Sequence, residues 1–350
     1  MRGSPVPRVE LRVEPESTFP AGVSVGADVE HLRITHSGGV NRAHGRVLRV
    51  LIVGSTANET NVRLAQAWWG LGLEVELVAA SEARSLMRPL DVAIGRLDVL
   101  PTLDGVEPGL FDLLRLEHQG FVVLNRAGAL LDCHDKLRTA HALEAAGVPH
   151  PRTTIVKSGT ETASTLSPPV VVKPRFGSWG ADVVRCETAH TLAAWLARAS
   201  GRPWFRRHGA LVQEYVPSTG VDLRIVVAAG AVVGAVERVA SVGEWRTNTA
   251  LGGTRRRVRP GTTACELALA AAEAVGTDLV GVDLLPCSDG TYTVIELNGA
   301  VEFTPEYGLG DRSVHAAIAE ALGLVRHSED GDGLVSEPEG EAVGSHFRDP

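Results

Sequence analysis

Three oxygen-bearing side chains in the C-terminal half of the sequence have the type and spacing of a magnesium site. Asp283 stands in Gly-Val-Asp-Leu-Leu, and Glu296 and Asn298 follow in Val-Ile-Glu-Leu-Asn. Residues two apart on a β-strand point to the same face, so Glu296 and Asn298 are expected on one face. Carboxylate and amide oxygens suit Mg²⁺, which can bridge the phosphates of a nucleotide. The sequence therefore predicts Asp283, Glu296 and Asn298 as metal ligands.

Lysine is scarce in this chain, which contains 31 arginines but only Lys136, Lys157 and Lys173. A compact ammonium group on a flexible stem suits a point contact to a phosphate oxygen. Lys173 ends the apolar segment Val-Val-Val-Lys, where a charge is costly unless an anion lies beside it. We therefore expect Lys173 to bind nucleotide phosphates.

A glycine-containing loop follows Lys173. It runs Gly177-Ser178-Trp179-Gly180 and supplies flexible backbone whose N–H groups can cover phosphates as a lid. A plain turn would show the same composition, so the loop indicates phosphate binding only together with the motifs beside it.

Cationic side chains are spaced along two predicted strands and the loop after them. Arg224 lies two residues after Asp222, Arg238 ends the next strand, and Arg246 and Asn248 follow. Arginines in this arrangement can neutralise a transferring phosphoryl group and an acyl phosphate. A surface salt-bridge face is the alternative. The pattern predicts Arg224, Arg238 and Arg246 as catalytic cations, with Asn248 at the nucleotide.

The bulk composition excludes several classes of protein. At 350 residues the chain is expected to form two or three domains or subdomains. Its net charge of −8 and pI near 5.9 give no basic footprint for nucleic acid. Four widely spaced cysteines and no His-x-x-x-His pattern argue against a disulfide framework or a zinc site. The longest apolar stretch, 225–236, is too short to span a membrane, so a cytoplasmic protein is expected.

The order of patterns along the chain predicts an α/β region followed by an α+β region. Residues 1–46 and the acidic segment 327–350 have the composition of poorly ordered tails. Residues 47–125 alternate strand and helix patterns, which predicts a small parallel α/β domain. This domain lacks Gly-x-Gly-x-x-Gly after its first strand, which disfavours a dinucleotide site. The remainder is richer in strands, with helices expected at 188–199, 262–275 and 312–323.

Several motifs together carry a family resemblance. They are Asn125, Cys-His-Asp-Lys at 133–136, Lys-Pro-Arg-Phe-Gly-Ser-Trp-Gly at 173–180, Gln-Glu-Tyr-Val at 213–216, Asp-Leu-Arg at 222–224 and Trp-Arg-Thr-Asn at 245–248. Over residues 48–326 the chain resembles the ATP-grasp carboxylate-amine ligases. It is most similar to the lysine-biosynthesis ligases that join an amino acid to an amino-group carrier protein. Ribosomal-protein glutamate ligases share much of the pattern, but Gly-Ser-Trp-Gly and Val-Glu-Phe at 301–303 favour the former.

The resemblance implies a fold, a reaction and further site residues. An ATP-grasp fold of two subdomains is expected over 126–326, with the boundary near 210–216. ATP with Mg²⁺, or Mn²⁺ in its place, would phosphorylate a carboxylate, and an amine would then displace phosphate to form an amide. The roles implied are phosphate binding by Lys136, adenine contact by Glu214, Tyr215 and Val216, ribose or phosphate contact by Asp222, and substrate contact by Glu302 and Phe303.

The expected partners are an amino-acid or peptide substrate, a small acidic carrier protein, and further copies of the chain. The basic run 255–259 is a candidate docking patch for the carrier, with a solvated loop as the alternative. Val221 and Thr304 depart from the pattern of the resembled family near the substrate, which weakens the assignment of the substrate more than that of the reaction. The alternatives are a peptide or ribosomal-protein-type glutamate ligase and a nucleotide-binding module without catalysis.

Overall fold

The computed structural model describes residues 47–157 and 166–325, together with two short strands nearer the N-terminus, 23–28 and 31–36. Most of the predicted tails, 1–46 and 327–350, therefore lies outside the described residues. The two short strands form an antiparallel hairpin within the first of these segments, where no regular structure was expected. Three sheets make up the described fold.

The first sheet is the predicted parallel α/β domain. Its strand order is β1-β2-β4-β3-β5-β6. The four strands β4, β3, β5 and β6 are parallel, and the hairpin adds to β4 in the antiparallel direction. The strands are β1 (Val23–Asp28), β2 (His31–His36), β3 (Arg49–Gly54), β4 (Glu74–Val78), β5 (Val92–Arg96) and β6 (Val122–Leu124).

Three helices connect these strands, namely α1 (Glu59–Gly70), α2 (Ala80–Leu86) and α3 (Leu110–His118). Asn58 caps α1, because its side chain accepts a hydrogen bond from Asn61 N. Leu64 and Trp68 of α1 are four residues apart and both fully buried, so one face of the helix packs into the core. The turn of α1 that follows Asn58 lies at the carboxyl end of β3, where the site is built.

The second sheet is antiparallel and has the order β7-β10-β8-β9. Its elements are β7 (Thr153–Val156), β8 (Val170–Pro174), β9 (Val184–Cys186), β10 (Ala210–Glu214), α6 (Ala189–Ala199) and α7 (Pro203–His208). Every residue of β8 is buried, Lys173 included. Trp195, Trp204 and Phe205 of the two helices fill the core beneath the sheet.

The third sheet is also antiparallel and has the order β13-β12-β11-β14-β15. Its strands are β11 (Val221–Ala228), β12 (Ala231–Val239), β13 (Thr254–Arg257), β14 (Leu279–Pro286) and β15 (Tyr292–Asn298). Around it lie α4 (Ala127–His134), α5 (Lys136–Ala145), α8 (Thr262–Val275) and α9 (Val314–Ala321). The chain passes from the second sheet to the third between Glu214 and Val221, next to the expected boundary at 210–216.

None of the helices in the described part of the chain has both the length and the apolar character that a membrane span requires.

Candidate active site

Two adjoining cavities meet where the three sheets come together. The first cavity includes Lys136, Lys173, Tyr215 and Asp222 in its walls. The second includes Asn58, Asp98, Arg255 and Glu302. Both are lined by Ser178, Arg238, Asn248 and Glu296. A ligand in the first cavity can therefore touch a ligand in the second at these four residues.

One end of the first cavity is an apolar slot. Val171, Val183, Leu285 and Ile295 line it, and the segment from Gln213 to Val216 runs along its edge. Tyr215 is fixed there by Arg185, whose guanidinium donates to Tyr215 Oη at 2.8 Å and lies over the ring. An apolar slot beside this chain segment suits a nucleobase.

Lys173 lies inside the first cavity with 7% of its surface exposed. Burial lowers the pKa of Lys173 to about 8, and the nearby Glu296 carboxylate partly offsets this effect. Among the described residues no group accepts a hydrogen bond from Lys173 Nζ. A buried ammonium of this kind favours an anionic ligand, which supports its predicted role.

Lys136 faces the same space from the first turn of α5. Its Nζ lies 3.1 Å from Glu296 Oε1 and donates to Gly177 O at 2.5 Å. The residue before it, Asp135, caps α5 and is held by Arg175 through two hydrogen bonds of 2.6 and 2.5 Å. This buried pair ties the start of α5 to the chain after β8, so Lys136 and the glycine loop keep a common position.

The glycine loop, Gly177–Gly180, lies between the two cavities. Trp179 and Gly180 both have left-handed backbone, with φ of 60° and 72°. Trp179 is half exposed and lines the second cavity, whereas Gly180 lines the first. A Cβ atom on Gly180 would lie 2.8 Å from Asn248 Oδ1, so the Asn248 side chain would have to shift for another residue, whose backbone would also be strained at this φ.

Arg246 holds this loop in place. Its Nη1 donates to Gly180 O and Val183 O, both at 3.1 Å. Glu244 accepts from Arg246 Nε at 3.0 Å and from Nη2 at 2.8 Å, and this pairing lowers the pKa of Glu244 to about 2. Arg246, predicted as a catalytic cation, thus has its guanidinium committed to the loop backbone and to Glu244 in this structure.

A network of two arginines and two aspartates forms the floor of the site. Asp283 accepts from Arg224 at 2.7 and 2.8 Å and from Arg238 at 2.8 Å. Arg238 also donates two hydrogen bonds to Asp222, of 2.7 and 2.6 Å, and Thr247 donates to the same carboxylate. The strand register explains the network, since Arg224 lies opposite Asp283 and Arg238 opposite Asp222.

The charges of this network are fixed by mutual contact. Burial opposes ionisation of Asp283, but Arg224 and Arg238 outweigh it and lower the pKa of Asp283 to about 2. Burial likewise opposes the charged forms of the two arginines, yet the carboxylates keep the pKa of each above its usual range. Two permanent cations therefore line the second cavity, and one of them, Arg238, lines the first as well.

The predicted metal ligands share one face of the third sheet. Asp283 pairs across the strands with Glu296, and Asn298 lies two residues further on. Asn298 Nδ2 is buried without a partner among the described residues, so the protein leaves the amide free to present its oxygen. Two carboxylates and an amide fit Mg²⁺, although Asp283 already anchors two arginines.

No cluster of three His, Cys, Asp or Glu side chains suited to a metal occurs in the described chain. An ion at this site would therefore take further oxygen ligands from phosphates and water.

The second cavity is lined by both positively and negatively charged side chains. Arg255 donates to Glu302 Oε2 at 2.8 Å, while its own Nε is buried without a partner among the residues described. The first turn of α1 contributes Glu59 and Thr60, and Asp98 lies beside them. A small zwitterionic ligand would find partners for both charges here.

Phe303 does not join Glu302 in this cavity. It is 1% exposed and packs in the core, with its ring 5.2 Å from that of His315 and 5.6 Å from the Arg96 guanidinium. Its backbone turns inward after Glu302, so the predicted substrate contact by Phe303 finds no support in this position.

Four further residues shape the site without having been singled out in the sequence. Asp135, Arg175 and Thr247 stand inside quoted motifs or next to them, but no feature of the sequence gave their pairings. Arg96 had a visible signal, because a charged residue closes the apolar strand β5.

A model of the RimK-like ATP-grasp domain matches residues 133–314. The chain belongs to this family. The match covers α5, both antiparallel sheets and every predicted site residue. The chain is accordingly an ATP-grasp ligase, an enzyme that forms carbon–nitrogen bonds.

Curated relatives agree with this assignment. An alpha-aminoadipate–LysW ligase, LysX, of Saccharolobus solfataricus is 31% identical over 191 residues, which are 54% of this chain and 69% of that protein. A probable alpha-L-glutamate ligase of an Enterobacter species is 33% identical over 215 residues, or 57% of this chain and 70% of the relative.

Solved structures confirm the fold. A RimK-domain ATP-grasp protein of Sphaerobacter thermophilus superimposes with a TM-score of 0.57 at 20% identity, covering 78% of this chain and 99% of that one. A D-alanine–D-alanine ligase of Bacillus anthracis, solved with ATP, gives a TM-score of 0.58 at 16% identity, with 80% and 96% covered. The predicted two-subdomain ATP-grasp fold is therefore confirmed.

Proposed function

We propose that this ligase uses ATP and Mg²⁺ to join an amino acid, through its amine, to a carboxylate of a carrier protein or peptide. The observation that carries the proposal is the pair of adjoining cavities, which share Ser178, Arg238, Asn248 and Glu296. ATP takes the first cavity and the other substrates take the second. The γ-phosphoryl group would then lie at the shared residues.

The nucleotide would be held along the length of the first cavity. Adenine occupies the slot beside Tyr215, and Val216, which makes no backbone hydrogen bond within the described chain, offers its N–H and C=O to the base. Lys136 and Lys173 contact the phosphates, with the glycine loop above them. Asp222 is already committed to Arg238 and Thr247, so it shapes the pocket near the ribose from below.

The reaction would proceed in two transfers. A substrate carboxylate attacks the γ-phosphorus, the bond to the β-phosphate oxygen breaks, and ADP leaves with an acyl phosphate formed. An amine then attacks the acyl carbon, phosphate departs with the carbon–oxygen bonding electrons, and the nitrogen loses its proton. Arg224 and Arg238 neutralise the negative charge of both transition states, and the loop excludes water from the acyl phosphate.

Asp283, Glu296 and Asn298 would hold the metal. Mg²⁺ supplies charge neutralisation between the phosphates, and Mn²⁺, which accepts the same oxygen donors, is expected to substitute.

The second cavity and the relatives support the proposed substrate class. Arg255 and Glu302 present opposite charges to one space, as an amino acid requires. One relative is an alpha-aminoadipate–LysW ligase and another a probable alpha-L-glutamate ligase. A carrier or peptide with a terminal glutamate is accordingly the proposed carboxylate partner.

The basic run 255–259 offers less for docking than its sequence indicated. Arg255 pairs with Glu302, Arg256 with Glu237, and Arg257 donates to the carbonyls of Pro305 and Gly310. Within the described chain, only the Arg259 side chain of this run has no partner. Carrier docking at this run remains a proposal that charge reversal at Arg259 can test through the KM for the carrier.

The deciding experiment measures ADP release from Mg-ATP by the purified chain. The panel contains free amino acids, short glutamate-terminated peptides and a carrier protein with a C-terminal glutamate, and mass spectrometry follows the products. A mass increase on the carrier supports the carrier-ligase proposal. Turnover only with the peptides supports the peptide glutamate-ligase alternative. No ADP release with any acceptor would leave a nucleotide-binding module and contradict the proposal.

A further inference from the structure

A buried arginine that the proposed reaction does not use lies between the walls of the second cavity. Arg96 is the last residue of β5 and is 1% exposed. Its Nε donates to Asn61 Oδ1 at 3.0 Å, and its Nη2 donates to Val301 O at 2.8 Å. One planar guanidinium group thus joins two segments that are distant in sequence.

Each of these segments supplies one wall of the second cavity. On one side, Asn61 belongs to the first turn of α1, and its backbone N–H bonds to the Asn58 side chain that lines the cavity. On the other side, Val301 stands between Ala300 and Glu302, and all three line the cavity. The Arg96 side chain therefore spans the two walls and is hydrogen-bonded to both.

A purely structural role is a poor explanation for a charged residue here. Burial lowers the pKa of Arg96 to about 10, and Asp98, which lines the same cavity, only partly offsets this. Arg96 Nη1 is buried without a hydrogen-bond partner among the residues described. An apolar side chain would avoid both costs, but it could not bond to the two walls at once.

We propose that Arg96 is a positioning residue, which sets the width of the second cavity and thereby its affinity for the amino-acid substrate. The proposal rests on the proposed function, because it assumes that an amino acid binds there. Arg96 touches neither the nucleotide site nor the reacting atoms, so it acts through α1 and through the segment that carries Glu302.

The chain contains a matched control for a test of this role. Arg49 is also a buried arginine of the first sheet, 5% exposed, but it lies at the opposite end of the strands. It pairs with Asp91 and donates to Glu76 at 2.7 Å, and it lines neither cavity. Arg96→Lys and Arg49→Lys both keep the charge and lose the guanidinium fork.

The measurement is steady-state kinetics on the two full-length variants and on the unaltered enzyme, with L-glutamate as the first amino-acid probe. Arg96→Lys should raise the KM for the amino acid by about tenfold or more, because small displacements of a binding wall are costly. The KM for ATP should stay within about twofold. Arg49→Lys should lower the melting temperature and leave both KM values close to those of the unaltered enzyme.

The outcomes separate this inference from the proposed function. An unaltered enzyme that is inactive with every amino acid of the panel overturns the proposed function, and this inference with it. If the unaltered enzyme is active, and the Arg96→Lys and Arg49→Lys variants show the same changes in the KM for the amino acid and in the KM for ATP, the inference is overturned while the proposed function stands. If Arg96→Lys does not fold, Asn61→Ala removes the acceptor at the α1 wall. An unchanged amino-acid KM in that variant overturns the inference equally.

Discussion

Lys173 illustrates how one buried residue can couple the nucleotide site to pH. Its side chain is buried in the wall of the first cavity, and burial lowers its pKa to about 8. Nucleotide phosphates beside it would favour the charged form and raise the pKa again. Binding of ATP should therefore take up a proton at a pH near or above 8.

The first prediction follows from this linkage. The affinity for Mg-ATP should fall as the pH rises from 7 to 9, since a neutral Lys173 must be protonated before it can pair with phosphate. Calorimetry at each pH, in buffers of different ionisation heat, measures both the affinity and the proton uptake. In Lys173→Arg the cation does not titrate, so proton uptake should disappear. An unchanged uptake in this variant would assign the effect to another group.

The second prediction concerns Asp283, whose charge holds two arginines. Asp283→Asn keeps the shape but leaves Arg224 and Arg238 beside each other without their shared anion. We expect a loss of roughly 3–5 kcal/mol in the free energy of unfolding, as for other broken buried pairs, and no measurable turnover. Denaturant unfolding and ADP release test the two parts. Asp289→Asn, in the exposed turn after β14, is the control and should change neither.

The same residue gives a pH dependence of stability with a defined sign. The pKa of Asp283 is depressed to about 2 in the folded state, below its ordinary value near 4. Its contribution to stability is therefore complete above pH 4 and is lost as the pH falls towards 2. Asp283→Asn should lose stability less steeply than the unaltered enzyme over this interval. Parallel curves for the two proteins would contradict the assignment.

At the scale of the element, the glycine loop depends on the chain around it. Arg246 fixes the backbone carbonyls of Gly180 and Val183, and Glu244 orients Arg246. The loop also separates the acyl phosphate from solvent in the proposed reaction. Its closure should therefore affect how much of the activated intermediate reaches the amine.

The third prediction is that Arg246→Met uncouples the two transfers. Without its hydrogen bonds the loop should open more often, so water would compete with the amine for the acyl phosphate. The ratio of ADP released to amide formed should rise, by several-fold, above that of the unaltered enzyme. Arg198→Met, on the exposed side of α6, is the matched control. Complete loss of ADP release in Arg246→Met would instead support the catalytic role predicted from the sequence.

The elements that the sequence predicted share a physical property. Strands and helices such as β11, β12 and α8 have apolar repeats that a local sequence pattern reveals, and the structure confirms them. Other elements, including α2, α4, α7, β7, β9 and β13, were not predicted. Their own sequences carry weak local patterns, and the sheets they pack against stabilise them.

Some features of the candidate site could likewise be predicted from the sequence, and others could not. Glu296 and Asn298 could be placed on one face from strand period alone, because side chains two residues apart on a strand point the same way. The commitment of Arg246 to loop carbonyls, the burial of Phe303 and the bridge made by Arg96 depend on where distant segments meet. A single sequence does not contain that information in any local pattern.

At the scale of the whole molecule, Asn125 joins the first sheet to the third. It is fully buried and has left-handed backbone, with φ of 54°. Its Nδ2 donates to Leu279 O at 2.7 Å and to Gly299 O at 3.1 Å, while its Oδ1 accepts from the backbone of Asp278 and Leu279. All four hydrogen-bonding positions of the side-chain amide are used, so Asn125 has a structural role in connecting the first sheet to the third.

The fourth prediction is that Asn125 makes the two parts of the molecule unfold together. Asn125→Gly tolerates the left-handed backbone but removes the amide, which leaves four buried backbone groups without partners. We expect a loss of several kcal/mol in the free energy of unfolding, and the first sheet should unfold before the rest. Denaturant unfolding followed by Trp fluorescence and by hydrogen exchange would resolve two transitions where the unaltered enzyme shows one.

Asn125→Ala should be less stable than Asn125→Gly, since it adds backbone strain to the same loss of hydrogen bonds. Because the second cavity takes one wall from each part, its amino-acid affinity should fall before the first cavity loses ATP. A single transition in Asn125→Gly, with both affinities lost together, would show that the core contacts of α1 and α9 suffice to hold the two parts as one unit.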